Sequence, residues 1–291
     1  MFRRFRAVTG CGFVIPLVLR AAVRCSGANN SRSAYVRRMK NNYFSTVAGA
    51  YACYRPHYPQ ELYEFLAGCC RHVRRAWDCA TGNGQAAVAL AAHFDFVVAT
   101  DLSQQQLAHA AARDRVGYAV SSAEQAPLGT AAVDLVSVAQ ALHWFDLPVF
   151  YRAVDRILAE DGVLAVWCYQ LLRTNAEVDA VIDRLYHEVV GPFWPPQRKM
   201  VEQGYATLAF PYPERSCPPF AMKYEWSLQQ LLGYVGSWSA CQRYREANRK
   251  DPVALIAGAL GEAWGDQAGT HIVRWPLAVR VGQKQSVRGT R

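Results

Sequence analysis

Acidic residues are missing from the first 60 positions of this 291-residue chain, where ten of its 32 Lys and Arg residues lie. The first acid is Glu61, and beyond position 60 the balance is 22 basic to 23 acidic residues. The net charge of +9 therefore belongs to the N-terminal arm and not to the body. That distribution excludes a basic globular face of the kind that binds nucleic acid. Metal-ligand spacing is missing too. The nine cysteines include the adjacent pair Cys69-Cys70 but no C-x-x-C pair, which leaves no zinc spacing, no disulfide framework and no metal to expect. They read as buried, reduced thiols. Long apolar runs are also missing. Gly12 to Leu19 is too short to cross a bilayer and contains Pro16, so no stable membrane span is expected.

The arm is rich in Arg and carries apolar patches, the composition of an organelle transit peptide. Residues 1–42 are expected to be a basic arm that directs the chain to mitochondria; a secretory signal and a non-targeting extension are the competing readings. Without an active signal the chain would be cytoplasmic.

The chain as a whole is 52% hydrophobic, enough to bury a sizeable core in one large or two modest domains. Pro59 opens a helix with Glu61 in its first turn. Strands are expected at Arg75–Asp78, Phe94–Asp101, Val116–Val120, Val133–Ala139 and Gly162–Trp167, after a turn at Glu160-Asp161-Gly162. Helices are expected at Gln85–Ala92, at Ser103–Arg113 behind a Ser103 cap, and at Pro148–Leu158. Five alternations of strand and helix predict a parallel α/β sheet. After Tyr169 the pattern changes to helical stretches and two proline-rich loops. Alternation at Phe220, Met222, Tyr224 and Trp226 predicts a strand, followed by helices at Ser227–Tyr244 and Asp251–Trp264 and a final strand at His271–Val281.

The most informative stretch is Asp78-Cys79-Ala80-Thr81-Gly82-Asn83-Gly84-Gln85, where a strand stops at a glycine turn and opens a helix. Glycine lets backbone approach a ligand closely. Asp101 ends the next strand about 20 residues on, where a carboxylate accepts hydrogen bonds from a ribose diol. Gly82-x-Gly84-x-x-Ala87 alone would also suit an NAD(P)-dependent oxidoreductase. Three features point elsewhere. Asp78 lies just before the turn, where it would repel a pyrophosphate. About 70 residues precede the sheet, unlike a dinucleotide fold. Glu124 after strand three suits an adenine amino group.

These motifs, with Ala123-Glu124, Gln140-Ala141-Leu142-His143-Trp144-Phe145, Tyr54-Arg55-Pro56-x-Tyr58-Pro59, Pro192-Phe193-Trp194-Pro195-Pro196-Gln197-Arg198 and Trp238-Ser239, resemble class I S-adenosylmethionine-dependent methyltransferases. The subgroup is the type-11 small-molecule branch that includes trans-aconitate methyltransferase-like proteins. The resemblance spans about residues 43 to 282. It implies a Rossmann-like sheet, mostly parallel with an antiparallel C-terminal hairpin, plus a helical lid insertion. The implied layout is a cofactor-binding core at 43–169, a substrate lid at 170–250, a completing helix and strand at 251–282, and a tail at 283–291.

The resemblance also implies site residues. Tyr54, Arg55, Asp78, Ala80, Thr81, Gly82, Asn83 and Gly84 would surround the methionine end of S-adenosyl-L-methionine. Asp101 would take the ribose, Leu102, Ala123 and Glu124 the adenine, and Gln140 the sulfonium side. The acceptor would be a small molecule methylated at a carboxylate or hydroxyl by direct in-line displacement. His143 reads either as a packed histidine or as a base or orienting group, with Trp144 beside it. Trp194 reads as lid core or substrate wall. Arg198 and Arg243 read as surface charges or as clamps for a carboxylate substrate. A non-catalytic cofactor-binding protein is the remaining alternative. Methylation of nucleic acid or protein is disfavoured, because no Asn/Asp-Pro-Pro-Tyr/Phe motif follows strand four.

Overall fold

Strands buried on both faces account for the near-continuous apolar runs of the sequence. The computed structural model describes residues 56–285. Its first half runs α1 (Gln60–Cys69), β1 (Arg75–Cys79), α2 (Gln85–Leu90), β2 (Phe96–Asp101), α3 (Gln104–Ala108), β3 (Val116–Val120), β4 (Val133–Ala139), α4 (Leu147–Ile157) and β5 (Leu158–Tyr169). The second half runs α5 (Ala176–Arg184), α6 (Arg198–Glu202), β6 (Glu214–Arg215), β7 (Phe220–Ser227), α7 (Leu228–Gly236), α8 (Ser239–Asn248), α9 (Ala257–Trp264) and β8 (Thr270–Gln283).

All eight of these strands join one sheet, in the order β3-β2-β1-β4-β5-β8-β6 with β7 also paired to β8. β1 to β5 are parallel, and β8 runs antiparallel to β5, β6 and β7. The strand order reverses between β1 and β4, which opens a crevice at their C-terminal ends. One face of the sheet buries Leu62, Leu66, Leu90 and Trp167. The other buries Phe150, Val154, Ile157 and Val166. Each such side chain contributes roughly 1.5–3 kcal/mol of burial. A third core is aromatic, with Tyr186, Trp226, Tyr234, Trp238, Trp264 and Trp275 packed together. There Trp275 Nε1 donates to Tyr234 Oη at 3.0 Å, which satisfies a buried indole.

The mostly parallel sheet with its antiparallel C-terminal hairpin matches the expected fold class. Several boundaries differ for tertiary reasons. The helix expected over Ser103–Arg113 stops at Ala108; beyond it the Ala111 carbonyl accepts the Tyr118 hydroxyl at 3.1 Å. Ser103 does cap α3, accepting from Gln106 N at 3.3 Å. The helix expected over Ser227–Tyr244 is two, α7 and α8. Trp238 is extended between them, its ring inserted against Tyr186, Trp194 and Tyr234. The expected turn at Glu160–Gly162 lies within β5, where the register shifts and Asp161 takes φ 60°. Segment 170–250 is also more than a lid, because its strands β6 and β7 extend the sheet along β8. Among the described residues no helix is long and apolar enough to cross a membrane. The arm at 1–42, together with Tyr54 and Arg55, lies outside the described residues, as does most of the tail.

Candidate active site

The crevice begins where β1 gives way to α2. The chain turns through three left-handed residues, Ala80 (φ 56°), Gly82 (φ 60°) and Gly84 (φ 83°). Backbone bonds tie the turn to the sheet and to itself: Thr81 N–H donates to the Thr100 carbonyl at 2.9 Å and Gly84 N–H to the Thr81 carbonyl at 3.0 Å. The two glycines answer different needs. A Cβ on Gly84 would lie 2.4 Å from the Tyr118 hydroxyl, so this glycine permits a close approach within the protein. A Cβ on Gly82 would meet only Gln106 Oε1, at 4.0 Å, so Gly82 borders open room. Asn83 is half-buried in the same turn.

Asp78 braces this turn from below. It is buried, and its two carboxylate oxygens accept from the Thr81 hydroxyl at 2.5 Å and the Ser137 hydroxyl at 2.8 Å. Burial lifts its carboxyl to about 6, against the opposing pull of both hydroxyls. Of the two roles open to Asp78, ordering the turn is the one its bonds perform.

Asp101 closes the side of the room. One oxygen accepts from Gly82 N–H at 2.8 Å and the other from Ser103 N–H at 2.7 Å. An ionised carboxylate offers about four acceptor positions, more than these backbone donors use, so acceptor capacity remains for a hydroxyl. Burial raises its pKa in spite of those backbone donors. Leu102 is half-buried beside it, and Ala123 is buried in a 3-10 turn after β3. Glu124 is not free to face a ligand with both oxygens: Oε1 accepts from Asp146 N–H at 3.1 Å, at the start of α4.

At the end of β4, Gln140 takes φ 58°, and its backbone N–H donates to the Trp167 carbonyl at 2.9 Å. Its side-chain Nε2 is buried with no hydrogen-bond partner among the described residues. A buried donor without an acceptor costs roughly 1–3 kcal/mol, so this amide is an observation that favours a ligand at the β4 end.

The next turn carries His143 and Trp144, their rings 4.8 Å apart. His143 Nδ1 lies 2.9 Å from the hydroxyl of fully buried Tyr205. Burial, and then the nearby Arg198 cation, push the imidazole down to about 3, so it is neutral at physiological pH. Arg198 sits over the rings of Trp194 (4.9 Å) and Tyr186 (5.4 Å), and its Nε donates to the Tyr186 hydroxyl at 2.6 Å. That hydroxyl donates in turn to Glu202 Oε1 at 2.7 Å. Among the described residues no carboxylate comes within ion-pair distance of Arg198. A cavity of about 250 Å³ is lined by Tyr169, Gln170, Tyr186, Arg198, Val201 and Glu202. Arg243 is not among the residues lining that cavity; its Nη1 donates to the Phe193 carbonyl at 3.1 Å and braces the loop before Trp194.

A sequence profile described as "Methyltransferase domain" matches residues 77–166, from β1 to β5. A candidate methyltransferase from Dictyostelium discoideum is 34% identical over 225 residues, covering 76% of this chain and 86% of that one. The solved structure of a candidate type II methyltransferase from Anaeromyxobacter dehalogenans shares 43% identity and a TM-score of 0.76, over 79% of this chain and 97% of that one. An uncharacterised methyltransferase of Mycobacterium tuberculosis is 35% identical over 133 residues, 45% of this chain and 54% of that one. This chain belongs to the methyltransferase family.

In this methyltransferase the glycine turn, Asp101 and Gln140 stand at the C-terminal ends of β1, β2 and β4, while Arg198 lines the cavity with Trp194 packed on it and His143 nearby. Tyr205, Tyr186, Glu202 and Ser137 were not visible as site residues in the sequence. Two of them come from distant segments: Tyr205 pairs with a residue 62 positions away, and Ser137 with one 59 away. Only the Gly204-Tyr205 pair just after a short helix hints at a special turn.

Proposed function

We propose that the chain is an S-adenosylmethionine-dependent methyltransferase of the type-11 small-molecule branch, similar to trans-aconitate methyltransferases, and that it methylates a carboxylate oxygen of a small acid. The observation that carries the acceptor class is Arg198, a guanidinium packed between Trp194 and Tyr186 with no carboxylate partner among the described residues. A desolvated cation of this kind stabilises an anion placed against it.

The cofactor fits the residues present. Asp101 has spare acceptor positions for a ribose diol, Gly82 borders open room, and Gln140 Nε2 lacks an acceptor. When bound, S-adenosylmethionine supplies a methyl group already activated on a sulfonium. The protein's task is alignment and exclusion of water. Arg198 holds the acid, Trp144 and Trp194 wall the site with aromatic faces that attract cations, and neutral His143 orients an oxygen. A carboxylate is already ionised and needs no base, which suits a histidine whose basicity is suppressed to about 3.

The test is transfer of tritiated methyl to matched acids, their amides, and phenols. Arg198→Met should raise KM for acids at least tenfold and leave amides unaffected. Transfer to phenols alone, or equal effects on acid and amide, would overturn the carboxylate reading. The arm at residues 1–42 is proposed to target mitochondria; a reporter fused to it that stays diffuse in the cytosol would refute this.

A further inference from the structure

Tyr205 reaches His143 through a backbone that the fold must force. Gly204 and Tyr205 follow α6, both left-handed at φ 60° and 62°. A bulky aromatic residue rarely adopts this conformation. The turn is also pressed onto β8, where a Cβ on Gly204 would lie 2.8 Å from the Ala278 methyl. Arg280 on β8 fixes it: Nη1 donates to the carbonyls of Tyr205 at 2.6 Å and Leu208 at 2.8 Å. Arg280 is itself held by Glu214 through two bonds, at 2.9 and 2.6 Å. Strain maintained by surrounding structure in this way marks functional positions.

The forced turn delivers one phenol to one imidazole. The Tyr205 ring is fully buried, and its hydroxyl oxygen stands 2.9 Å from Nδ1 of His143. Among the described residues Nδ1 is the one hydrogen-bond partner of that hydroxyl, and a buried phenol proton without an acceptor is costly, so the proton is directed to Nδ1. Burial keeps the phenol protonated, since it lifts the Tyr205 pKa well above the usual tyrosine range. The groups facing this pair are Arg198 on α6, Cys168 on β5 and Tyr58 ahead of α1. None is a carboxylate that would draw a second proton onto the ring. Nε2 has no hydrogen-bond partner among the described residues.

We propose that Tyr205 is a positioning residue that locks His143 in its neutral Nε2–H tautomer, so that His143 offers the methyl acceptor a hydrogen-bond donor and not a base. This rests on the acceptor site proposed above, but the tautomer is readable without any turnover.

The experiment is nitrogen-15 spectroscopy of the imidazole in the full chain, with Tyr205→Phe beside the wild type. In the wild type, Nε2 should be protonated and Nδ1 bare, unchanged from pH 5 to 8. In Tyr205→Phe the Nδ1–H form should appear, and kcat should fall about tenfold with KM for the cofactor unchanged. Should that variant fail to fold, His143→Gln serves instead. Its amide N–H stands near the place of Nε2–H and should retain at least tenfold more turnover than His143→Ala. A wild-type ring protonated at Nδ1, an unaltered tautomer in Tyr205→Phe, or a glutamine variant as slow as alanine would each overturn the proposal. Failure of every acid as acceptor, with the tautomer as stated, would sink the carboxylate reading and leave Tyr205 in its role.

Discussion

Replacing Asp101 with asparagine separates its two tasks. The carboxylate now accepts Gly82 N–H at 2.8 Å on one oxygen and Ser103 N–H at 2.7 Å on the other. Asparagine keeps one oxygen and turns the other into a donor, so one of these N–H groups faces an NH2. Losing one hydrogen bond to a charged acceptor costs about 1.5–3 kcal/mol, and this part should appear in the ligand-free protein as a lower midpoint of thermal unfolding. The ribose diol loses an acceptor at the same oxygen. A second loss of about 1.5–3 kcal/mol corresponds to a roughly 10- to 150-fold weaker Kd. Calorimetric titration with S-adenosylhomocysteine, on wild type and Asp101→Asn at the same pH, reads the second part directly. A lowered midpoint with a Kd unchanged within twofold would show that Asp101 only braces the turn, and the ribose assignment would be wrong.

Gly84→Ala places a Cβ 2.4 Å from the Tyr118 hydroxyl at φ 83°. Left-handed strain of about 1–2 kcal/mol, together with displacement of Tyr118 from Ala111, should lower the urea midpoint clearly; an unchanged midpoint would contradict the close packing. Asp78 gives a pH signature. Its folded pKa of about 6 stands above the ordinary carboxylate value of 3.8, so its contribution is fully present below pH 4 and is lost as pH rises through about 6, roughly 3 kcal/mol in all. The variant Asp78→Asn should flatten the stability profile between pH 4 and 6, and a profile as steep as wild type would exclude Asp78 as its source. A cationic ligand favours the ionised form, so S-adenosylmethionine binding near pH 6 should release a proton. Equal binding enthalpies in buffers of different ionisation heat would disprove that coupling.

The sequence exposes those parts of the site that a local pattern encodes. Gly82 and Gly84 are constrained by backbone conformation at two adjacent points, and Asp101 by the end of the following strand, so spacing alone finds them. The sheet is legible for the same reason, since β1, β2 and β4 are short apolar runs between turns. What spacing does not encode is the partner of a polar group. Nothing in the spacing around Glu124 points to Asp146 N–H on its Oε1. Nothing around Arg243 points to the Phe193 carbonyl that its Nη1 meets. Helix ends fail similarly: α3 ends early where Tyr118 takes the Ala111 carbonyl, and α7 ends where Trp238 is drawn into the aromatic core.

The two halves of the proposed site, one for the cofactor and one for the acceptor, are anchored differently, and this decides what each tolerates. The cofactor half consists of the C-terminal ends of β1, β2 and β4, parts of one buried sheet, so a change there is felt as stability as well as binding. The acceptor half consists of α6 and the turn after it. Its cation is aimed by the chain Arg198 to Tyr186 to Glu202, and its phenol is held in place through Arg280 on β8. Only the last of these contacts reaches the sheet. Substitutions along the Arg198 chain can therefore alter which acid is held while the glycine turn stays intact. A substitution at Arg280 would instead release Tyr205 from its strained backbone and disturb His143 from a neighbouring strand.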